Sequence, residues 1–155
     1  MSRHTYTAET LWERGTQPFL DKRYSRKHLL RFDGGLTVAG SSSPHVVPTP
    51  YSDPSAIDPE EALVSALSSC HMLWFLDIAS RNGFVVDSYH DEASGVMTAN
   101  ERKKLWLSSV TLQPKVLFSG AALPTPADID RMHHEAHDEC FIANSVKTDV
   151  QVRAR

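Results

Sequence analysis

The stretch Asp58-Pro59-Glu60-Glu61-Ala62-Leu63-Val64-Ser65-Ala66-Leu67-Ser68-Ser69-Cys70-His71-Met72-Leu73-Trp74-Phe75-Leu76-Asp77-Ile78 decides how this chain folds. Asp58 is a good helix N-cap, Pro59 suits the first helical position, and Glu61 completes a capping-box pattern. The spacing predicts a helix that runs to Asn82-Gly83, where glycine supplies the stop. Its apolar residues, among them Leu63, Leu67, Met72, Trp74, Phe75 and Ile78, cover nearly every face, which marks a buried helix. Ser65, Ser68, Ser69, His71 and Asp77 interrupt the apolar run, so the expectation is a core helix and not a membrane span.

Working outward, Tyr6, Ala8, Thr10 and Trp12 alternate as in a half-buried strand, and residues 15–26 read as a loop. His28-Leu29-Leu30-Arg31-Phe32, then Asp33-Gly34-Gly35, then Leu36-Thr37-Val38 is a hairpin signal. From Gly40 to Asp58 the chain turns to Ser, Pro and small residues, a long connection of the kind that is functional or mobile. Beyond the helix, Phe84 to Ala99 and Leu105 to Phe118 read as strands on either side of a charged turn, Asn100 to Lys104. Pro124-Thr125-Pro126 introduces a second helix, Ala127 to about Cys140, and Val146 to Val152 closes the chain as an alternating strand. Strands and helices segregated in this order predict an α+β fold rather than a doubly wound sheet.

At 155 residues, with 41% apolar and 23% charged residues, the chain is expected to form one soluble domain, 1–155. A net charge of -3 without any basic block argues against nucleic acid or an anionic membrane as partner. Met1-Ser2-Arg3-His4-Thr5-Tyr6 lacks the apolar core of a signal peptide, so the expected compartment is a reducing cytoplasm. There a cysteine is either an inert small hydrophobe or a reactive thiol.

Cys70 and Cys140 are the only two cysteines. Each sits near the end of a stretch that reads as a helix, and Ser68, Ser69 and His71 surround Cys70 with polar groups that a purely packed position does not need. A second cluster, His133, His137 and Cys140, has i, i+4, i+7 spacing and so shares a helix face, as zinc ligands can. It is not the zincin motif, which wants histidine where Asp138 stands, and a solvated polar face is the favoured reading over a metal. No Gly-x-Ser-x-Gly elbow and no phosphate-cradling glycine loop is present.

Pro59-Glu60-Glu61-Ala62-Leu63, with Ser69-Cys70-His71 after a small-residue helix, resembles the signature helix of the OsmC/Ohr family (osmotically inducible protein C and the organic hydroperoxide resistance proteins). Cys140-Phe141-Ile142-Ala143-Asn144-Ser145-Val146 resembles that family's second cysteine motif. The resemblance implies antiparallel sheets packed around a long buried central helix in an intertwined homodimer. It implies a thiol peroxidase without a cofactor, acting on small organic hydroperoxides and restored by an external dithiol. Cys70 is then the peroxidatic thiol, Cys140 the resolving one, Glu60 the active-site glutamate and Arg26 the activating arginine, with Arg31 as alternative.

The chemistry accounts for those residue types. Only a thiolate attacks peroxide oxygen, and a guanidinium within about 4–6 Å lowers a thiol pKa by roughly 1–3 units. A carboxylate would orient that guanidinium through a bidentate pair. Glu60 and Cys70 lie ten residues apart, about 15 Å along one helix, so Glu60 with its arginine is expected from a partner subunit. The alternative is a non-catalytic module of the same fold that holds a small apolar ligand, with both cysteines packed and inert.

Overall fold

The capped helix forms where the sequence places it. In a computed structural model that describes residues 3–155, α1 spans Pro59–Arg81. The Glu61 amide donates to Asp58 Oδ1 at 2.8 Å while the Asp58 amide donates to Glu61 Oε2 at 3.2 Å, the reciprocal pair of a capping box. At the other end Gly83 adopts φ +78°, and the Phe84 amide reaches back to the Ala79 carbonyl at 3.0 Å.

Packing groups the chain into two compact units, one ending at Ala62 and the other beginning at Leu63, so the boundary falls within the first turns of α1. In the first, β1 (Ala8–Leu11), β2 (His28–Phe32) and β3 (Thr37–Gly40) form an antiparallel sheet in that order. The β2–β3 turn closes through the Gly35 amide on the Phe32 carbonyl, with Gly35 at φ +89°, a backbone conformation that glycine adopts without strain. The Ser/Pro-rich connection has no helix or strand of its own. It is held by the Asp53 amide on Ser41 Oγ at 2.9 Å and by an Ile57 bridge to Gly40.

The second unit holds β4 (Val85–Asp91), β5 (Ser94–Ala99), β6 (Leu105–Leu112), β7 (Pro114–Ser119), α2 (Pro126–Glu139) and β8 (Asp149–Val152). β4 pairs with β7, and β5, β6 and β8 form a separate sheet. Each of the two long predicted strands is therefore two shorter ones that change sheets. The breaks fall opposite one another: Asp91 Oδ1 accepts the Gln113 amide at 2.6 Å, and Pro114, paired with Asp91, has no amide to continue the ladder. β8 runs parallel to β6, an exception to the expected antiparallel pairing. The final strand also starts later than Val146, because a 3-10 turn over Ala143–Ser145 occupies the chain just before it.

α1 is buried along one stripe, not all round as its composition implies. Leu67, His71, Phe75, Ile78 and Ala79 are sealed, while Leu73 on another face is 61% exposed. Phe75, Ile78 and Ala79 pack with Met132 and Ala136 of α2, flanked by Val86, Tyr89, Val116 and Phe118 from the β4–β7 sheet. Two to three turns earlier, Leu67 packs with Val110 and Leu112 of β6, flanked by Ile142, Val150 and Val152. By length and composition alone α1 could cross a membrane, with mean hydropathy 1.5. Its polar groups bind neighbouring elements instead: Ser68 Oγ donates to Asp91 Oδ2 at 2.5 Å, and His71 meets His133 of α2.

Candidate thiol site

Cys70 sits midway along α1, and Cys140 ends α2. At Cys140 the backbone leaves the helix (φ -65°, ψ 110°) while its amide still reaches the His137 carbonyl at 3.2 Å. The next turn of chain then folds back on this residue. The Ala143 amide points at Cys140 Sγ at 3.4 Å, and Asn144 Nδ2 donates to the carbonyls of Asp138 and Cys140 at 2.8 and 3.1 Å. Asn144 thus satisfies carbonyls that the end of α2 would otherwise leave unpaired.

The turn brings the Cys140 sulfur beside the Cys70 thiol, near enough for each to feel the other. Both cysteines are reduced, Cys140 buried and Cys70 half-buried. Burial, reinforced by the Cys70 thiol, pushes Cys140 up to about 11, against the smaller opposing effect of the Ala143 and Ile142 amides. Cys140 therefore keeps its proton at neutral pH. Two adjacent thiols can jointly give up two electrons and close a disulfide, and Cys140 is the one less disposed to attack first.

One residue further along α1, His71 crosses to α2. Its Nε2 lies 3.0 Å from Nδ1 of His133, and the His133 ring stacks on Phe75 with centroids 4.2 Å apart. Burial holds both imidazoles down at about 4, His71 also feeling His133 and His137, His133 feeling His134. Both rings are neutral at pH 7. His71 Nδ1 and His133 Nε2 have no hydrogen-bond partner. Beside the thiols, the Trp74 and Phe141 rings meet edge to face with centroids 5.4 Å apart.

The other expected site residues lie in the first unit. Arg26 Nη1 donates to the Lys22 carbonyl at 2.7 Å and to the Tyr24 carbonyl, and the guanidinium sits 3.9 Å from the centre of the Tyr24 ring. Arg31 pairs with Glu9 at 3.6 Å on the exposed surface. Glu60 is half-buried in the first turn of α1, and among the described residues it forms no ion pair with either arginine. The expected carboxylate–guanidinium pair is thus not made within this chain.

The face of His133, His137 and Cys140 is neither of the things anticipated for it. His133 is spent on His71 and Cys140 on Cys70, and among the described residues no three His, Cys, Asp or Glu side chains are placed to hold a metal ion. Nor is it a solvated face, since His133 is 4% exposed. Sequence reasoning missed both the histidine pair and the aromatic contact. The signal for the first was present: Leu67, His71 and Phe75 recur at i, i+4, i+8, which puts His71 in the buried stripe. The partner on α2 had no comparable signal.

Comparisons agree with this architecture. A family model described as OsmC-like protein matches residues 52–155. No curated protein sequence matches the chain. The structure of an OsmC-like protein of unknown function from Vibrio cholerae superposes with a TM-score of 0.97 at 46% identity, over 99% of this chain and 100% of that one. More distant folds include an organic hydroperoxide resistance protein from Elizabethkingia anophelis (TM-score 0.71, 14% identity, 99% of this chain and 95% of that one). Another is an organic hydroperoxide resistance protein of Bacillus subtilis (TM-score 0.67, 14% identity, 98% of each chain). With its capped helix, its two cysteine segments and an α+β fold shared along nearly its whole length, this chain belongs to the OsmC-like protein family.

Proposed function

We propose that this protein is a cysteine-based peroxidase that reduces organic hydroperoxides to alcohols. The observation that carries the reading is the direct apposition of the only two thiols in the chain, one half-exposed and one buried and held protonated. The names of the distant fold neighbours, organic hydroperoxide resistance proteins, support the substrate class. So does the apolar surround of Leu67, Ile142 and Ala143, which favours an alkyl or aryl peroxide over hydrogen peroxide.

In this reading the Cys70 thiolate attacks the outer peroxide oxygen. The O–O bond breaks, the alcohol leaves with a proton, and Cys70 becomes a sulfenic acid. The Cys140 sulfur then attacks the Cys70 sulfur, an S–S bond forms, and the sulfenic oxygen departs as water. An external dithiol reduces the disulfide by exchange. Glu60 orients Arg26 (or Arg31), whose guanidinium faces the Cys70 sulfur. Because Glu60 starts the helix that carries Cys70 about 15 Å further on, these groups come from the second subunit of a homodimer. The whole chain acts as one domain in a reducing cytoplasm.

Dithiol-driven consumption of cumene hydroperoxide tests the proposal. Wild type is expected to turn over, and Cys70→Ser to lose activity by on the order of a thousandfold or more. Equal rates in the two proteins would refute it in favour of the ligand-binding alternative.

A further inference from the structure

Trp74 and Phe141 join the two cysteine-bearing segments a second time. Trp74 lies one turn of α1 beyond Cys70, on the same side of the helix, and Phe141 comes directly after Cys140. Their rings meet at 81° with centroids 5.4 Å apart, an edge-to-face arrangement of the kind that stabilises aromatic pairs. The hydrogen bonds of residues 140–145 run within that turn or back to the end of α2, so they shape the turn without tying it to α1. Attachment to α1 falls to side-chain packing. Ile142 and Ala143 pack into the cluster around Leu67 on one side of Cys140, and Phe141 packs on Trp74 on the other. Phe141 is 67% exposed, so the Trp74 contact is not explained by burial of a core side chain.

Resting on the peroxidase reading, we infer that Trp74 and Phe141 form a clasp that holds Cys140 against Cys70 and so decides the fate of oxidised Cys70. The sulfenic acid has two exits. In one, Cys140 attacks the Cys70 sulfur, the S–S bond forms and water leaves. In the other, a second hydroperoxide transfers an oxygen to the same sulfur, its O–O bond breaks, an alcohol leaves, and Cys70 becomes a sulfinic acid. The first exit is intramolecular and depends on how often the two sulfurs meet, while the second depends on peroxide concentration. Trp74 and Phe141 are positioning residues: they act through where they put Cys140.

The test is the ratio of sulfinic acid to disulfide at Cys70, read by intact and peptide mass after a fixed excess of cumene hydroperoxide. F141A is expected to raise that ratio about fivefold, the factor that ~1 kcal/mol makes in a rate at 25 °C, with the first oxidation of Cys70 unchanged. W74F and F141Y, which keep an aromatic contact, are expected to hold the wild-type ratio. A wild type that forms the disulfide, with F141A partitioning identically, overturns the clasp alone. A wild type that keeps both thiols through the peroxide treatment overturns the peroxidase reading and the clasp with it.

Discussion

Two polar pairs cross from neighbouring positions of α1, Cys70 to Cys140 at the end of α2 and His71 to His133 in its middle, and they are built to opposite ends. The histidines are 1% and 4% exposed, stacked beside Phe75, and each keeps one ring nitrogen without a partner. A buried imidazole that cannot take a proton near neutral pH is poorly placed for acid–base work, so this pair reads as a polar tie between two helices within the core. The thiols share the same two helices, but Cys70 reaches the half-exposed border and Cys140 leads out of α2 into a turn. On the proposed function, adjacent positions on one helix separate a structural contact from a reactive one, Cys70 being half-exposed where His71 is sealed.

The sharpest way to break this contrast is to delete one member of each pair. Cys70→Ser is expected to remove turnover and leave the fold intact. His133→Ala is expected to do the reverse, destabilising the protein by about 2–4 kcal/mol through a cavity beside Phe75 and a stranded His71, while the folded fraction still closes the Cys70–Cys140 disulfide. Chemical denaturation alongside peroxide consumption reads both quantities. A stable His133→Ala protein without activity would make the histidines part of the chemistry and dissolve the distinction.

A smaller effect separates the pairs by pH. The folded pKa values of His71 and His133 lie near 4, below the ordinary 6.5, so as pH falls the unfolded chain takes up protons that the folded one refuses. Stability from this pair is complete above about pH 6.5 and declines toward pH 4. For Cys140 the shift is upward, from about 9 to about 11, so the unfolded thiol ionises first and stability declines as pH rises across that range. Denaturant midpoints are expected to fall at both extremes. Replacing both histidines by phenylalanine should flatten the acid limb alone, and Cys140→Ala the alkaline limb alone. Unchanged limbs in these variants would contradict the assignment of each window to its pair.

Legibility in the sequence depends on the range over which each signal acts. The Asp58–Glu61 cap, the Asp33-Gly34-Gly35 turn and the extent of α1 depend on neighbours a few residues away, and they form as the sequence predicts. The breaks at Asp91 and Pro114 depend on a side chain that reaches across to another strand, and a single line of sequence does not carry that pairing. Burial was overstated for the same reason: the apolar residues of α1 are visible in the sequence, but which of its faces the chain covers is settled by β6, β7 and α2. At the site, the cysteines were legible by their scarcity and their polar surroundings. The His71–His133 bond, made across 62 positions, was not.

The central claim is that Cys70 and Cys140 act as one redox pair. Its most direct test is to treat the reduced protein with one equivalent of cumene hydroperoxide, count the remaining thiols and map the product by peptide mass. The account predicts loss of both thiols together, release of one cumyl alcohol, and a Cys70–Cys140 cross-linked peptide that a dithiol reverses. Two free thiols with the peroxide intact, or oxidation of Cys70 that never captures Cys140, would contradict it.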